Sequence, residues 1–234
     1  MIGQTMMSRR GKLRRGNERG AAIVEFTFIS LSLIPLLLGG WAVGMNLAYT
    51  LQNAQLARDA GHLFARGMDF SEPGNQTILY NIGSWLGLSS SGSSGAEVIL
   101  SSLTYVDQAA CASAGAVDSY GNPSGCTNYQ QWVFTQRLVI GNSGLSNSVL
   151  GAPTTSPPNG VTIDPDTGKI SLADYVLQSG AVATFSAINP YANVAGVISG
   201  LPSGQYLYIA ESYAQSFTIP PFVSGSTLFS YGIF

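Results

Sequence analysis

The segment RGAAIVEFTFISLSLIPLLLGGWAVGMNLAYTL, residues 19–51, decides how the rest of this chain of 234 residues can fold. From Phe26 to Leu51 it holds no charged residue. As an α-helix, that apolar run would measure about 39 Å, which exceeds the roughly 30 Å hydrocarbon core of a bilayer. The segment is therefore predicted to be a helix that spans a membrane with some tilt.

Two features stand out within the apolar run. Pro35 lies inside it and is expected to kink the helix or to loosen one turn. Gly40 and Gly44 form a G-x-x-x-G pair, which permits the backbone of a second helix to approach closely. This motif is also common by chance in apolar segments. The pair is therefore either a helix-packing face or a chance occurrence without a packing role.

Basic residues are concentrated before the apolar run. Six of the ten lie within the first 19 positions, where Glu18 is the single acidic residue, and the remainder of the chain holds four basic and eleven acidic residues. Positive charge beside a membrane helix stays in the cytoplasm. We therefore expect residues 1–20 to be a basic cytoplasmic leader. The rest of the chain lacks the clustered basic charge that nucleic-acid binding requires, so no nucleic-acid partner is expected.

Helical periodicity continues beyond the apolar run. Leu56, Ala60 and Phe64 recur on one face of a helix, and polar residues occupy the other face. We expect a membrane-spanning and amphipathic stem helix over residues 21–67, followed by an exported, β-rich domain over residues 68–234.

The exported domain contains three strand signals, which are rich in β-branched and aromatic residues and bounded by Gly, Ser and Pro clusters. They cover residues 98–106, 132–140 and 205–219. A loop at Pro73-Gly74 is expected to separate the stem from this domain. The predicted fold class is α+β, with the stem helix packed on a small antiparallel sheet. The tail, residues 222–234, is apolar enough to be buried or to pair as an edge strand.

A Pro/Ser/Thr-rich excursion, residues 151–204, precedes the last predicted strand, and we interpret it as a surface-exposed, partner-specific elaboration. It contains the sequence DPDTGK at residues 164–169, which is either a calcium loop or a hairpin turn. The spacing departs from an EF-hand, because Gly168 occupies position five and no glutamate follows at position twelve. A hairpin turn is the favoured interpretation.

The chain has two cysteines, Cys111 and Cys126. Outside the cytoplasm such a pair most simply forms a disulfide, and two buried free thiols are the alternative. Their spacing fits neither a zinc site nor a C-x-x-C redox motif. A bridge would close the loop between the first two predicted strands and contribute about 3 kcal/mol.

The start of the apolar run reads Arg19-Gly20-Ala21-Ala22-Ile23-Val24-Glu25-Phe26. This order of residues resembles a class III, or prepilin-type, signal, in which a basic leader is followed by glycine, four small or apolar residues, glutamate and an aromatic residue. The later string Asn53-Ala54-Gln55-Leu56-Ala57-Arg58-Asp59-Ala60 adds a helical Asn-Ala-x-x-Ala-Arg-x-Ala pattern. Over residues 20–67 the chain therefore resembles the TadE-like family of the tight-adherence (Flp) pilus system.

The resemblance implies a pilin-like subunit that a prepilin peptidase cuts between Gly20 and Ala21. Glycine lets an extended backbone approach the peptidase closely. Glu25, followed by Phe26, could pair with the new α-amine of its own or a neighbouring subunit and set their register. The implied location is the bacterial inner membrane, and the implied partners are other pilins, pseudopilins and Tad assembly proteins. The expected function is that of a minor pseudopilin in the assembly of an adherence or secretion fibre.

Other interpretations stay open. The N-terminus could be an uncut signal anchor, or a secretory signal peptide, although the apolar run is long for one and no A-x-A site closes it. A twin-arginine signal at Ser8-Arg9-Arg10 is weakened by Gly11 and Lys12, which stand where apolar residues would follow. The functional alternative is a membrane-anchored extracytoplasmic adhesin or binding module that uses the excursion and is not processed.

We recognise no catalytic motif in the sequence. It lacks H-E-x-x-H, Walker A and dinucleotide fingerprints, and it has one histidine, His62, in the stem helix. His62 is interpreted as a packing or capping residue on the helix face. We therefore expect no enzymatic activity, no metal and no cofactor.

Overall fold

The structure, a computed structural model, describes residues 17–184, 204–220 and 223–234. Its first element, α1, is an α-helix of 49 residues, Asn17–Ala65. The helix continues through Pro35, because a proline removes one backbone hydrogen bond while the neighbouring turns keep theirs. Residues 1–16, which make up most of the predicted leader, lie outside the described residues.

The chain divides into two compact units. The first contains α1 through Met45 together with residues 218–224, where Ile219 and Val223 form an isolated antiparallel bridge. The second contains Asn46–Phe217 and Gly225–Phe234. The sheet and the two hydrophobic cores described below all belong to the second unit.

The second unit is built on four antiparallel strands in the order β2-β1-β3-β4. Their bounds are Ala96–Tyr105 for β1, Trp132–Gly141 for β2, Leu207–Gln215 for β3 and Thr227–Ile233 for β4. The three strands predicted from the sequence are confirmed with shifted ends, and the apolar tail pairs with β3 as an edge strand. The α+β class is therefore confirmed.

One face of the sheet is covered by the second part of α1. Leu56, Ala60 and Phe64, spaced four residues apart, are each less than 5% exposed, because this spacing aligns them along one stripe of a helix. They pack against alternate residues of the strands: Ala96, Val98, Leu100, Ile140, Ala210 and Ala214. The predicted amphipathic face of the stem is the face that the sheet buries.

The predicted loop at Pro73-Gly74 is wrong, because these two residues begin α2, Pro73–Ile82. Proline is accommodated in the first turn of a helix, where the backbone N–H groups have no partner within the helix. The Gln76 side chain donates to the carbonyl of Phe70 over 2.8 Å and fastens α2 to the preceding turn.

The opposite face of the sheet carries a second core. Ile209 belongs to it while its neighbour Ala210 faces α1, as expected from the alternation of side chains along a strand. The core includes the short helices α3, Gln108–Ser113, and α4, Leu172–Leu177. Five of its buried members come from the excursion: Val161, Ile170, Val176, Ala181 and Ala183.

The interpretation of residues 151–204 as a surface-exposed elaboration is therefore wrong for the core residues between Val161 and Ala183, and a partner-specific role stays a prediction. A sheet has two faces, and the stem helix covers one of them, so a second layer is needed to bury the other. The excursion supplies that layer. Residues 185–203 lie outside the described residues.

Candidate functional site

The first part of α1 exposes apolar side chains. Between Ile23 and Val43, twelve large apolar residues are each 50–72% exposed, including Phe26 at 71% and Leu36 at 72%. Transfer of one such side chain out of water is worth about 1.5–3 kcal/mol, so the set is suited to lipid or to other helices. Among the described residues, α1 is the helix long and apolar enough to cross a membrane.

The residues of the predicted processing signal lie in the first turns of α1. Gly20, Ala21, Glu25 and Phe26 are all exposed. Because the helix begins at Asn17, the Gly20 N–H is among the first four, which have no partner within a helix. Glu25 follows Ala21 by four residues, so the two lie one turn apart on the same side of the helix.

The predicted packing glycines, Gly40 and Gly44, also lie on α1. A Cβ built at either position meets no heavy atom within 4 Å among the described residues. This stripe of the helix therefore has room for another backbone, and whether a partner helix uses it stays a prediction.

Two asparagines of α1 form paired hydrogen bonds in the second unit. Asn53 is 1% exposed, donates to the carbonyl of Ser212 over 3.0 Å and accepts from the Ser212 hydroxyl over 2.6 Å. Asn46 makes the same kind of pair with Phe217, donating to its carbonyl over 3.3 Å and accepting from its N–H over 2.9 Å. Each carboxamide thereby fixes α1 against β3 and the residues that follow it.

The C-terminal residue, Phe234, packs on α1. A Cβ added to Gly61 would overlap the Phe234 ring, and the His62 ring lies 4.5 Å from it, centroid to centroid. The Phe234 backbone exchanges two hydrogen bonds with Tyr208, of 2.8 and 3.0 Å. His62 thus contacts an aromatic ring on the helix face, as the packing interpretation predicts.

The cysteine pair lies at disulfide distance. Cys111, in α3, and Cys126 are both buried in the second core, with Cα atoms 5.6 Å apart and sulfur atoms at bonding distance. The pair lies between β1 and β2, where the sequence predicts the bridge.

The DPDTGK sequence forms a turn between Ile163 and Ile170, which make an antiparallel bridge. The Asp164 Oδ1 accepts the N–H groups of Asp166 and Thr167 at 2.9 and 3.1 Å. These hydrogen bonds hold the pKa of Asp164 below its ordinary value. The Asp164 carboxylate therefore stabilises the turn through hydrogen bonds to its backbone, in agreement with the hairpin interpretation.

A polar cluster is buried on the sheet face away from α1. Glu97 of β1 and Glu211 of β3 are 1% and 0% exposed. Three pairs of the strand register bring the polar residues together. Glu97 pairs with Tyr213, and Ile99 pairs with Glu211. Ser101, the next residue of β1 on the same face, pairs with Arg137. Because side chains of one parity share a face, the two acids, the arginine and the phenol meet on that face.

Glu211 holds the loop that follows β2. Its carboxylate accepts the N–H of Val149 over 2.9 Å and the hydroxyl of Ser148. The Tyr213 hydroxyl lies 3.1 Å from Glu211 Oε1. Burial raises the pKa of Tyr213, and the neighbouring carboxylate raises it further. The phenol is therefore a neutral donor beside a buried acid.

Glu97 and Arg137 extend this anchor. Glu97 accepts the N–H of Ser146 over 3.2 Å, and the Arg137 guanidinium donates to the carbonyl of Gly151 over 2.9 Å. Burial raises the pKa of Glu97, opposed in part by Ser146 and Arg137, and burial lowers the pKa of Arg137. The cluster ties the far side of the sheet to the loop at residues 146–151.

Sequence reasoning missed both the asparagine pairs and the acid cluster. A polar residue on the buried stripe of an amphipathic helix is a usable signal for Asn53, which lies three residues before Leu56. Acids inside apolar strands are a usable signal for Glu97 and Glu211, since charged residues are rarely buried unless they are paired or hydrogen-bonded. Neither signal identifies the residue to which the buried polar side chain is hydrogen-bonded.

No family model, no curated protein and no solved structure matches this chain.

Proposed function

We propose that this chain is a membrane-anchored minor pseudopilin of the TadE-like kind, which acts in the assembly of an adherence or secretion fibre. The observation that carries the proposal is α1, one unbroken helix of 49 residues. Between Ile23 and Val43 it exposes twelve large apolar side chains, whereas its second part buries one stripe on a sheet. A helix of this kind can exchange lipid for the helices of neighbouring subunits.

The charge distribution supports a cytoplasmic N-terminus. The basic residues before Gly20 favour retention of that end in the cytoplasm. The sheet unit would then lie on the opposite side of the inner membrane. An oxidising compartment there suits the Cys111–Cys126 pair.

The position of Gly20 supports processing by a prepilin peptidase. A scissile bond in the first turn of α1 can become extended with the loss of few helical hydrogen bonds, since that turn lacks partners for its N–H groups. After cleavage, the α-amine of Ala21 would lie one helical turn from Glu25. The same carboxylate could instead accept the amine of a neighbouring subunit and fix the stagger between two stems.

Cleavage is tested by coexpression of the full chain with a prepilin peptidase, followed by intact mass and N-terminal sequencing. We expect a mature chain that begins at Ala21. The variant Gly20→Val should stay full-length, because a branched side chain hinders the approach of the peptidase to the backbone, whereas Gly11→Val, a matched change within the leader, should be cut normally. An intact leader with an active peptidase, or a cut after the apolar run, would contradict the proposal.

Assembly is tested with Glu25→Gln in cells that make the fibre. This variant should be inserted and cut as the wild type is, yet be lost from sheared fibres, because the neutral amide cannot form an ion pair with the protonated α-amine. Glu72→Gln, a change of another exposed glutamate, is the control and should leave incorporation unchanged. Equal incorporation of Glu25→Gln and wild type would show that Glu25 has no part in assembly.

The alternative, a membrane-anchored binding module that is not processed, predicts different results in both experiments. It requires an intact leader and function that is independent of Glu25. The two functions are therefore separated by the mature N-terminus and by the Glu25 variant.

A further inference from the structure

A cleft of about 440 Å³ opens in the second unit where α1 ends. Its floor is the part of the sheet beyond the last turn of the helix, and its walls come from the turn after α1, from residues 169–175 and from the start of β3. The volume falls within the roughly 300–1,000 Å³ that is typical of small-molecule sites. Its principal side chains are Phe64, Ser102, Gln136, Tyr175, Tyr206 and Tyr208.

The floor of the cleft contains a β-bulge. Ser102 pairs with Gln136 and Leu103 pairs with Phe134, so Thr135 is an extra residue in β2. The Thr135 hydroxyl lies 3.0 Å from the Ser102 hydroxyl. Bulges redirect side chains and are common beside binding sites, and this one places two hydroxyls at the base of the cleft.

The walls of the cleft are aromatic. Tyr206 and Tyr208, two residues apart, lie on the same side of the chain entering β3, and Tyr206 is 47% exposed. Tyr208 is held edge-on against Phe64, with ring centroids 5.1 Å apart. Tyr175 of α4 lines the cleft from the excursion. The rings therefore offer flat apolar surfaces on a supported backbone.

The described lining residues carry one charge of each sign, on Asp69 and Lys169. Both residues are exposed. The Asp69 Oδ1 accepts the N–H and the hydroxyl of Ser71 at 2.9 and 2.6 Å, and these bonds hold its pKa below the ordinary value. The carboxylate is therefore ionised at neutral pH, and the lining as a whole is neutral.

We propose that this cleft binds a neutral oligosaccharide. A sugar ring has an apolar C–H face, which stacks on an aromatic ring such as that of Tyr206, and hydroxyls at its edge, which bond to hydroxyl, amide and carboxylate groups. The cleft supplies both kinds of surface side by side, with Ser102 and Gln136 in the floor and Asp69 at the wall. Flat rings with a few placed polar groups are the usual composition of a selective small-molecule site.

Other ligand classes fit less well. An anion such as a phosphate would meet one lysine, Lys169, opposed by Asp69. A peptide that binds by adding a strand needs a free sheet edge, but β1 is paired on both sides with β2 and β3, and Gln136 of the edge strand β2 already forms a bridge with Lys169. A purely apolar ligand would remove water from the polar side chains of the lining, such as Asp69 and Lys169, and would supply no hydrogen bond in return.

The test uses the full chain in micelles of a detergent without a sugar headgroup. Isothermal titration calorimetry is run with cellotriose, maltotriose and triacetylchitotriose as probes at millimolar concentrations. We expect at least one probe to bind. Tyr206→Ala should weaken that binding about tenfold, which corresponds to the loss of one stacking contact of about 1.4 kcal/mol. Tyr120→Ala, a change of a tyrosine that is 88% exposed and lies outside the cleft, should leave binding unchanged.

Circular dichroism checks that both variants are folded. We expect both to fold, because the Tyr206 and Tyr120 side chains are exposed. Absence of binding by all three probes would overturn the proposal, and so would binding that Tyr206→Ala does not weaken. Binding of a neutral peptide in place of the sugars would overturn the ligand class. The proposal does not depend on leader cleavage or fibre assembly, since the wild-type chain either binds these sugars or does not.

Discussion

Replacement of Asn53 by alanine tests whether the stem helix is held to the sheet by specific hydrogen bonds as well as by apolar packing. The Asn53 side chain is 1% exposed and makes two hydrogen bonds to Ser212, which is 0% exposed. Alanine preserves the helix, because it has the highest helix propensity. The change therefore removes the carboxamide and leaves the helix itself intact.

The expected loss of unfolding free energy follows from the Ser212 hydroxyl, which stays buried after its partner is removed. Each hydrogen bond contributes about 1 kcal/mol net, and the Ser212 hydroxyl is left buried without its acceptor, which costs about 1–3 kcal/mol. Because these two effects overlap, the free energy of unfolding should fall by about 2–4 kcal/mol. Gln55→Ala, an exposed position two residues away on the same helix, should change it by less than about 0.5 kcal/mol.

The assay is urea unfolding of the full chain in detergent micelles. Fluorescence of Trp132, the tryptophan that is 4% exposed, reports the opening of the sheet unit, and Trp41 and Trp85 are 57% and 70% exposed in the folded chain. In a double-mutant cycle, the added change Ser212→Ala removes the unpaired hydroxyl, so the two losses should fall short of additive by about 1 kcal/mol or more. Additive losses, or an Asn53→Ala effect no larger than that of Gln55→Ala, would refute the reasoning.

Two further predictions concern the sheet unit. Replacement of Cys111 and Cys126 by alanine should lower the free energy of unfolding by about 3 kcal/mol, because the loop of 15 residues regains its freedom in the unfolded chain; the urea assay measures the loss, and thiol titration of the wild type should find no free thiol. Glu97→Gln should flatten the pH dependence of stability. Burial raises the pKa of Glu97 above the ordinary 4.5, so the folded wild type holds the proton more tightly than the unfolded chain does. The wild type therefore loses stability as pH rises from 4.5 through that raised pKa. Urea unfolding across this pH range compares the slope of unfolding free energy against pH in the wild type with the slope in Glu97→Gln.

Each of these predictions has a contrary outcome. Reactive thiols in the wild type without reductant would contradict the bridge. For Glu97, the control is Glu72→Gln, a change at an exposed acid that should keep the wild-type slope. Equal slopes for wild type and Glu97→Gln would mean that the unfolded chain binds this proton as tightly as the folded chain does.

The long helix and the strands were predictable because their signals are local. An uncharged run of this length specifies a helix by itself, and the i, i+4 spacing of Leu56, Ala60 and Phe64 identified the stripe that the sheet buries. Alternating apolar residues identified β1 to β3 in the same way. The start of α2 was missed because Pro73 reads as a loop residue, although the first turn of a helix tolerates it.

The second core was not predictable from composition. Residues 151–184 are rich in Pro, Ser and Thr and have the appearance of a surface loop. Their few apolar side chains, such as Val161 and Val176, lie far apart along the chain and are brought together only on the sheet face that α1 leaves uncovered. Periodicity cannot reveal a layer whose apolar residues do not repeat.

The sequence by itself determined an apolar helix preceded by basic residues, an amphipathic continuation and a strand-rich remainder, because each depends on neighbours along the chain. Only the tertiary structure decided that Asn53 meets Ser212, 159 positions away, that two glutamates bind the loop after β2, and that the end of α1 leaves an aromatic cleft. Those arrangements depend on strand register and on where a helix stops, and these are fixed by packing between segments that are distant in sequence.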